Sequence, residues 1–336
     1  MRRLLVGLLV TAVSLGLLIN LVDWRSSISV LERADPFFIG AAVVCLFLSL
    51  IAKTIRWRLL LPADANVTTP RLFRILHISF LLNNVLPARL GDVARIAMTA
   101  AAPGMRVGLV ISSMLTERLT DTVTLLVCFV LVSPFLPVPR AYVDWLHLAW
   151  WVLAGLAGAV IAFALLRRHI QRIAARVQMP DGFPGAARVR VEALSFQEGL
   201  SQLASRRRVL PIWGASLSAW LTAFAINFMI FQSLEIEVPV TVAVLVTCVT
   251  NMAMLVPSSP GYIGVFHAAA TLALVPFDVS GSLALSFAIA AHLVNVIPVS
   301  ILGAVFLLLG RESVSWSWKT RGPVSTEPNA GPGGGK

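Results

Sequence analysis

The sequence predicts an all-α fold: a polytopic membrane helix bundle with six spanning helices and two opposed re-entrant hairpins. Three observations predict it. The 336-residue chain is 57% hydrophobic and only 13% charged, where ordinary soluble domains carry about 25% charged residues. The mean hydropathy is +0.84, and the apolar residues come in blocks long enough to cross a bilayer, which takes about 20 residues. Two of the blocks are interrupted by polar breaks that resemble one another.

The net charge is +11. In a soluble chain this would suggest nucleic acid. Here the basic residues stand between apolar blocks, where they serve as topology signals and contacts to anionic headgroups. No nucleic-acid partner is expected. Cys45, Cys128 and Cys248 lie in separate apolar segments with no CxxC or metal spacing, and read as small buried hydrophobes.

In chain order, Leu4 to Val22 reads as a retained first span, because it is longer than the core of a signal peptide and no clean A-x-A site follows. A second span covers about Phe37 to Ala52. Lys53, Arg56, Arg58, Arg71 and Arg74 follow it and mark the cytoplasmic side. From Arg71 to Ala102, two short apolar pieces flank the break Asn83-Asn84-Val85-Leu86-Pro87-Ala88-Arg89-Leu90-Gly91-Asp92. Pieces this short suggest a re-entrant hairpin. Further spans are expected at about Val107 to Phe135, Trp145 to Leu166, Val209 to Phe231 and Leu283 to Leu309. Residues 167–208 carry nine arginines and three acids and read as a cytoplasmic, partly amphipathic loop. Residues 240–275 form the second broken segment, around Val256-Pro257-Ser258-Ser259-Pro260-Gly261-Tyr262-Ile263-Gly264. The membrane domain is thus expected over residues 1–310, followed by a disordered cytoplasmic tail, 311–336. Both termini fall in the cytoplasm of a plasma-membrane protein. Reading both breaks as kinked full spans gives eight spans with the same ends, but puts Arg89, Arg95 and Arg106 outside, against the positive-inside rule.

Broken helices at corresponding places in two halves point to a transporter's central site. Unwound backbone is tolerated at membrane depth only inside protein or beside a wet cavity. The candidate substrate-binding residues are therefore Asn83, Asn84, Arg89, Asp92 and Arg95 at the first break. Ser258, Ser259, Gly261 and His267 are the candidates at the second. Glu117, Arg118 and Asp121 interrupt an apolar block and join them. Arg89, Asp92 and Arg95, spaced i, i+3, i+6, are expected near one helix face, and Arg118 can pair with Asp121. Arg89 and Arg95 are expected to bind an anionic headgroup, with Glu117 and Asp121 orienting the arginines. Neutralising either arginine should then abolish lipid transfer in folded protein. The competing reading makes the cluster an interfacial network that only staples helices.

No pair of histidines has the i, i+4 spacing of a helical metal site, and HExxH, Walker A, GxSxG and GxGxxG are all missing. No metal, no cofactor and no enzymatic activity are expected. His267 is the best placed of the five histidines for a proton role.

The elements LPARLGDVAR (Leu86 to Arg95), ERLTD (Glu117 to Asp121) and PSSPGYIGVFH (Pro257 to His267) together resemble the signature regions of the lysylphosphatidylglycerol synthase transmembrane family, over about residues 5–310. That resemblance implies a flippase-like domain moving lipids between leaflets. It also implies motif roles for Arg89, Gly91, Asp92, Arg95, Glu117, Arg118, Asp121, Pro260, Gly261 and Gly264. The third motif departs from the family's usual PGGxGxxE: Tyr262 replaces a glycine and His267 an acid. Asp92 takes a place often held by Glu. No segment could hold the soluble aminoacyl-transfer domain. The expected function is a lipid flippase or transporter for an anionic phospholipid, glycolipid or polyprenyl-phosphate-linked lipid. The alternatives are a non-transporting scaffold for an envelope-lipid synthesis enzyme, and an intramembrane enzyme using Glu117 or Asp121 as base. Oligomeric state is open at this stage.

Overall fold

A computed structural model of the chain describes residues 24–63, 65–86, 89–136, 206–254 and 259–310, and, of the stretch between 136 and 206, residues 147, 150, 151, 154, 155, 158, 191, 192 and 194–196. The expected span Leu4 to Val22, nearly all of Trp145 to Leu166, most of the Arg-rich loop and the tail lie outside the described residues, as does Ser258. Among the described residues every regular element is a helix.

Helix α1 (Trp24–Glu32) leads into α2 (Pro36–Leu60). Asp35 sets the start of α2: its carboxylate accepts the Phe37 N–H at 2.8 Å, and Pro36 takes the first helical position, where no N–H is needed. The apolar pattern predicts an end to this span near Ala52. The helix continues two turns further because Lys53 and Arg56 turn into the protein rather than to water. The first broken segment is α3 (Thr69–Val85) and α4 (Leu90–Ala100). It is followed by α5 (Val107–Val132) and, after the partly described stretch, α6 (Arg206–Ser233). The second broken segment is α7 (Val240–Ala253) and α8 (Val265–Leu274), and α9 (Gly281–Leu308) closes the bundle.

Five helical stretches are long and apolar enough to cross a membrane: Pro36–Leu60, Val107–Phe135, Arg208–Ser233, Pro260–Phe277 and Gly281–Leu308. Four coincide with expected spans. The fifth lies in the second broken segment, where α8 is extended by 3₁₀ turns at Pro260–Tyr262 and Val275–Phe277. Large apolar side chains stay exposed along the lipid-facing sides, among them Leu48, Ile51, Leu131, Ile297 and Ile301. In a bilayer such surface needs no further burial.

Contacts between helix ends sort the charges. Arg208 at the start of α6 donates to Leu61 O at 3.1 Å, just past the end of α2. Asp35 N donates to Ser233 O at 3.0 Å, tying the start of α2 to the end of α6. One end of the bundle thus carries Arg58, Arg71, Arg74 and Arg208, and the other Arg33 together with the acids Glu32, Asp35, Glu235, Glu237 and Asp278. The segment α3–α4 doubles back from the basic end, since Ser79 and Gly91 come into contact across the break. The segment α7–α8 begins after Glu237 and ends before Asp278.

Gly91 makes the first fold-back possible. A Cβ there would overlap the Ser79 carbonyl oxygen and come within 2.6 Å of Asn83 Oδ1. Gly91→Ala is therefore expected to lower stability by about 1–3 kcal/mol, as overpacking does. A lower unfolding midpoint and poorer yield in detergent are the readouts; an unchanged midpoint would show that α4 can slide along α3.

The N-terminus of α5 is held from the Arg-rich stretch. Glu192 Oε2 accepts the Gly108 N–H at 2.6 Å, and Arg106 donates to Ser195 Oγ at 3.2 Å. This is a helix cap supplied from some 80 residues away in sequence (|i−j| is 84). Replacing Glu192 with alanine is expected to cost about 0.5–2 kcal/mol and to speed limited proteolysis near residue 192; identical cleavage rates would contradict the docking.

Candidate functional site

The site begins with four helices whose polar side chains turn inward. On α5, Ser112, Ser113, Thr116, Glu117, Thr120 and Thr124 are all buried. The hydroxyls of Ser112, Ser113, Thr120 and Thr124 donate to carbonyls three or four residues earlier in their own helix. They add polarity to a helix interface without leaving donors exposed to hydrocarbon. Glu117 and Asp121 lie ten and fourteen residues into α5, about 15–21 Å along its axis.

Glu117 receives two arginines. Arg95 of α4 donates to its carboxylate at 2.6 and 3.4 Å, a two-pronged pair. Arg56 of α2 approaches the same carboxylate at 3.6 Å and pairs with Asp121 at 2.5 Å. Arg56 also donates to Ser216 Oγ of α6 at 3.2 Å, and Trp220 Nε1 of α6 donates to Asp121 at 3.0 Å. The Arg95 guanidinium lies over the Trp57 ring at 3.7 Å, and Trp57 Nε1 donates to Ser113 Oγ. Lys53 covers the other indole, Trp220, at 5.2 Å and is within electrostatic reach of Asp121 and Glu117. The side chains of Arg56 and Arg95 are 0% and 2% exposed, so both are fixed parts of the frame.

The other two cations are placed differently. Arg118 is 51% exposed at its side chain, and its contact to Asp92 is long, 3.9 Å. The expected pairing of Arg118 with Asp121 is therefore corrected: Asp121 is occupied by Arg56 and Trp220, while Arg118 turns toward α4. Asp92 is steadied by Asn83 Nδ2 at 3.1 Å. Arg89 does not share the helix face of Asp92 and Arg95, as its spacing suggested. It precedes α4 in a left-handed conformation, φ 54°, which swings its side chain toward the second break.

There the two breaks meet. Arg89 donates to Met254 O, at the end of α7, at 2.5 Å, and its guanidinium lies 5.5 Å from the Tyr262 ring centre. Gly261, at φ 68°, passes the Asn84 carbonyl closely enough that a Cβ would stand 3.4 Å from it. Asn84 Nδ2 donates to Ser300 Oγ of α9 at 2.9 Å. Ser259 is half-buried and donates to Ile263 O at 3.1 Å. His267 sits at the third position of α8, where its Nδ1 faces the Gly264 N–H at 3.4 Å, and it stacks on His292 of α9 at 4.8 Å. An acid at this position could accept from the same N–H, as in a capping box.

The structure thus brings together Asn83, Asn84, Arg89, Asp92, Arg95, Glu117, Arg118, Asp121 and Gly261. It leaves His267 one turn further on, against His292. Reading the sequence missed Lys53, Arg56, Trp57, Ser216 and Trp220. In the sequence, Lys53, Arg56 and Arg58 together have the pattern of a topology signal. The clue to Arg56 is its spacing: it lies seven residues after Ser49, on the same buried stripe of α2.

A multi-pass helical membrane protein with two interrupted helices meeting beside a buried charge network is the class of protein defined here. The family described as Lysylphosphatidylglycerol synthase TM region matches residues 4–303, and the chain belongs to that family. It is similar to a UPF0104 membrane protein of Methanothermobacter thermautotrophicus, with 24% identity over 284 residues, covering 78% of this chain and 80% of that one. No solved structure gives a significant match.

Proposed function

We propose that the protein moves an anionic lipid headgroup between leaflets through the junction of its two broken segments. One observation carries this reading: the charges around the junction do not balance. Among the described residues, Lys53, Arg56, Arg89, Arg95 and Arg118 converge there, against Asp92, Glu117 and Asp121. Uncompensated charge away from bulk water is costly, and a bound anion offsets it. Arg118 and Arg89 are the two cations placed to meet a phosphate. Arg118 is half-exposed, and among the described residues Arg89 is held by a main-chain carbonyl and a ring.

In this reading the segments are re-entrant hairpins of opposite orientation within a bundle of six spans, both termini are cytoplasmic, and the site is in the plasma membrane. The basic end faces the cytoplasm by the positive-inside rule. The protein acts as a transporter and not as an enzyme, and needs no cofactor. Its partner is the lipid, a phospholipid, a glycolipid or a polyprenyl-phosphate-linked lipid.

The test is a leaflet-exchange assay. Full-length protein is reconstituted in vesicles containing phosphatidylglycerol labelled on its headgroup-proximal chain, and the labelled lipid protected from an impermeant reductant is followed with time. Protein-dependent exchange that Arg89→Gln suppresses is the expected result. Exchange equal to that of empty vesicles, for phosphatidylglycerol and for a labelled glycolipid and polyprenyl phosphate assayed in the same way, would overturn transport.

A further inference from the structure

Two imidazoles lie beside the second break, outside the charge network. His267 is the third residue of α8, and its Nδ1 accepts the Gly264 N–H at 3.4 Å, capping the helix. A ring nitrogen that accepts carries no proton, so in this arrangement His267 is neutral and its proton is on Nε2. Its ring stacks on that of His292, with 4.8 Å between centres and 27° between planes. Phe266 lies edge-on to both rings, at 6.0 and 5.3 Å, and His292 is buried. Helices α7, α8 and α9 pack on one another and carry no Asp, Glu, Lys or Arg; their titratable groups are His267, His292 and Cys248. Tyr262 and Asp278 flank α8. Of the other helices on α9, α1 carries Arg25 and Glu32, α2 Lys53, Arg56 and Arg58, α3 Arg71, Arg74 and His77, and α6 Arg206, Arg207 and Arg208. Lys53, Arg56, Arg58 and Arg208 make the contacts described above or bond to main-chain carbonyls, and His77 packs on Phe73 and Phe306.

A proton arriving at Nδ1 of His267 turns the acceptor into a donor that faces another donor, so the cap on Gly264 is lost. Two imidazolium rings at this separation repel, so the pair holds one proton. The backbone beneath the cap is tightly wound: Gly261, Tyr262 and Gly264 have φ of 68°, 59° and 89°. The same break supplies the Met254 carbonyl and the Tyr262 ring that hold Arg89. We infer that His267 and His292 form a proton-binding site, which fastens the second break when empty and loosens it when it holds one proton. The site stands on the geometry of α8 and α9; only its effect on lipid exchange rests on the transport reading.

The experiment follows amide hydrogen exchange of the full-length protein in nanodiscs from about pH 5 to 8, the range in which imidazole changes charge. Each rate is divided by that of the unfolded chain at the same pH. Protection of the Gly264 amide is expected to be about 2–30-fold lower at the acid end, the range that a helix cap supplies, while the middle of α2 stays level. His267→Gln keeps an acceptor that takes no proton, so its protection should not change with pH. His292→Phe keeps a ring against Phe266 and should move the midpoint by about one pH unit, the coupling at which two sites titrate as a pair. Level protection in the native chain, a measurement that needs no variant, would overturn the inference. So would the native response persisting in His267→Gln, and an unmoved midpoint in His292→Phe would overturn the pair. In the leaflet-exchange assay the native rate is then expected to vary over the same pH range and that of His267→Gln to stay constant. A proton response at Gly264 with no lipid exchange at any pH would overturn transport and uphold the proton site.

Discussion

Glu117→Gln is expected to destabilise the folded protein by about 3–5 kcal/mol, the loss seen when one partner of a buried ion pair is removed. The size follows from what stays behind. Arg95 and Arg56 are both buried and share the Glu117 carboxylate. Neutralising it leaves two guanidinium groups with one remaining carboxylate, Asp121, which Arg56 already holds. The measurement is the unfolding midpoint during titration with a denaturing detergent, with loss of helicity as the signal. A double variant, Arg95→Met with Glu117→Leu, should recover most of the loss, because an apolar pair of similar volume is often as stable as the ion pair it replaces. A Glu117→Gln midpoint equal to that of the native chain would mean that the network is hydrated and carries little stability.

Arg118→Gln is expected to do the reverse: leave the unfolding midpoint within about 0.5 kcal/mol, as an exposed pair contributes little, and weaken binding of an anionic lipid about 10–100-fold. That range corresponds to about 1.5–3 kcal/mol for a hydrogen bond to a charged group. The difference from Glu117 rests on geometry, a half-exposed side chain and a 3.9 Å contact to Asp92. Titration of the solubilised protein with short-chain phosphatidylglycerol, compared with phosphatidylcholine, reads it out. Native affinity in this variant would remove Arg118 from the site and leave Arg89 as the sole candidate contact. The pair of results also separates the two readings of the charge cluster. A staple predicts loss of stability at every member, whereas a binding site predicts that stability and affinity part company at Arg118.

The parts of this molecule that could be read from sequence are those that depend on local chemistry. Four of the long apolar helices, both polar breaks and the ionisable residues of α4 and α5 follow from composition and spacing along a single segment. The pairing pattern does not. Asp121 has Arg118 three residues before it, yet its partner is Arg56, 65 residues away in sequence, because helix packing brings α2 against α5. Arg56 itself resembles any basic residue at the end of a span until its burial is known. The position of Arg89 depended on a backbone conformation that a non-glycine residue seldom adopts, so helical spacing put it on the wrong face. The same reasoning explains Tyr262, which stands where the family pattern expects glycine: its φ of 59° is the conformation that glycine adopts at no steric cost.

Arg89 and Tyr262 face each other across the junction, and both hold left-handed backbone. Each such conformation in a non-glycine residue costs on the order of 1–3 kcal/mol. The two tips are therefore loaded, with the guanidinium, the ring and the Met254 carbonyl acting as the catch. Parting the tips lets both backbones relax, which offsets part of the cost of breaking that catch. Opening the junction therefore costs less than breaking the catch alone would.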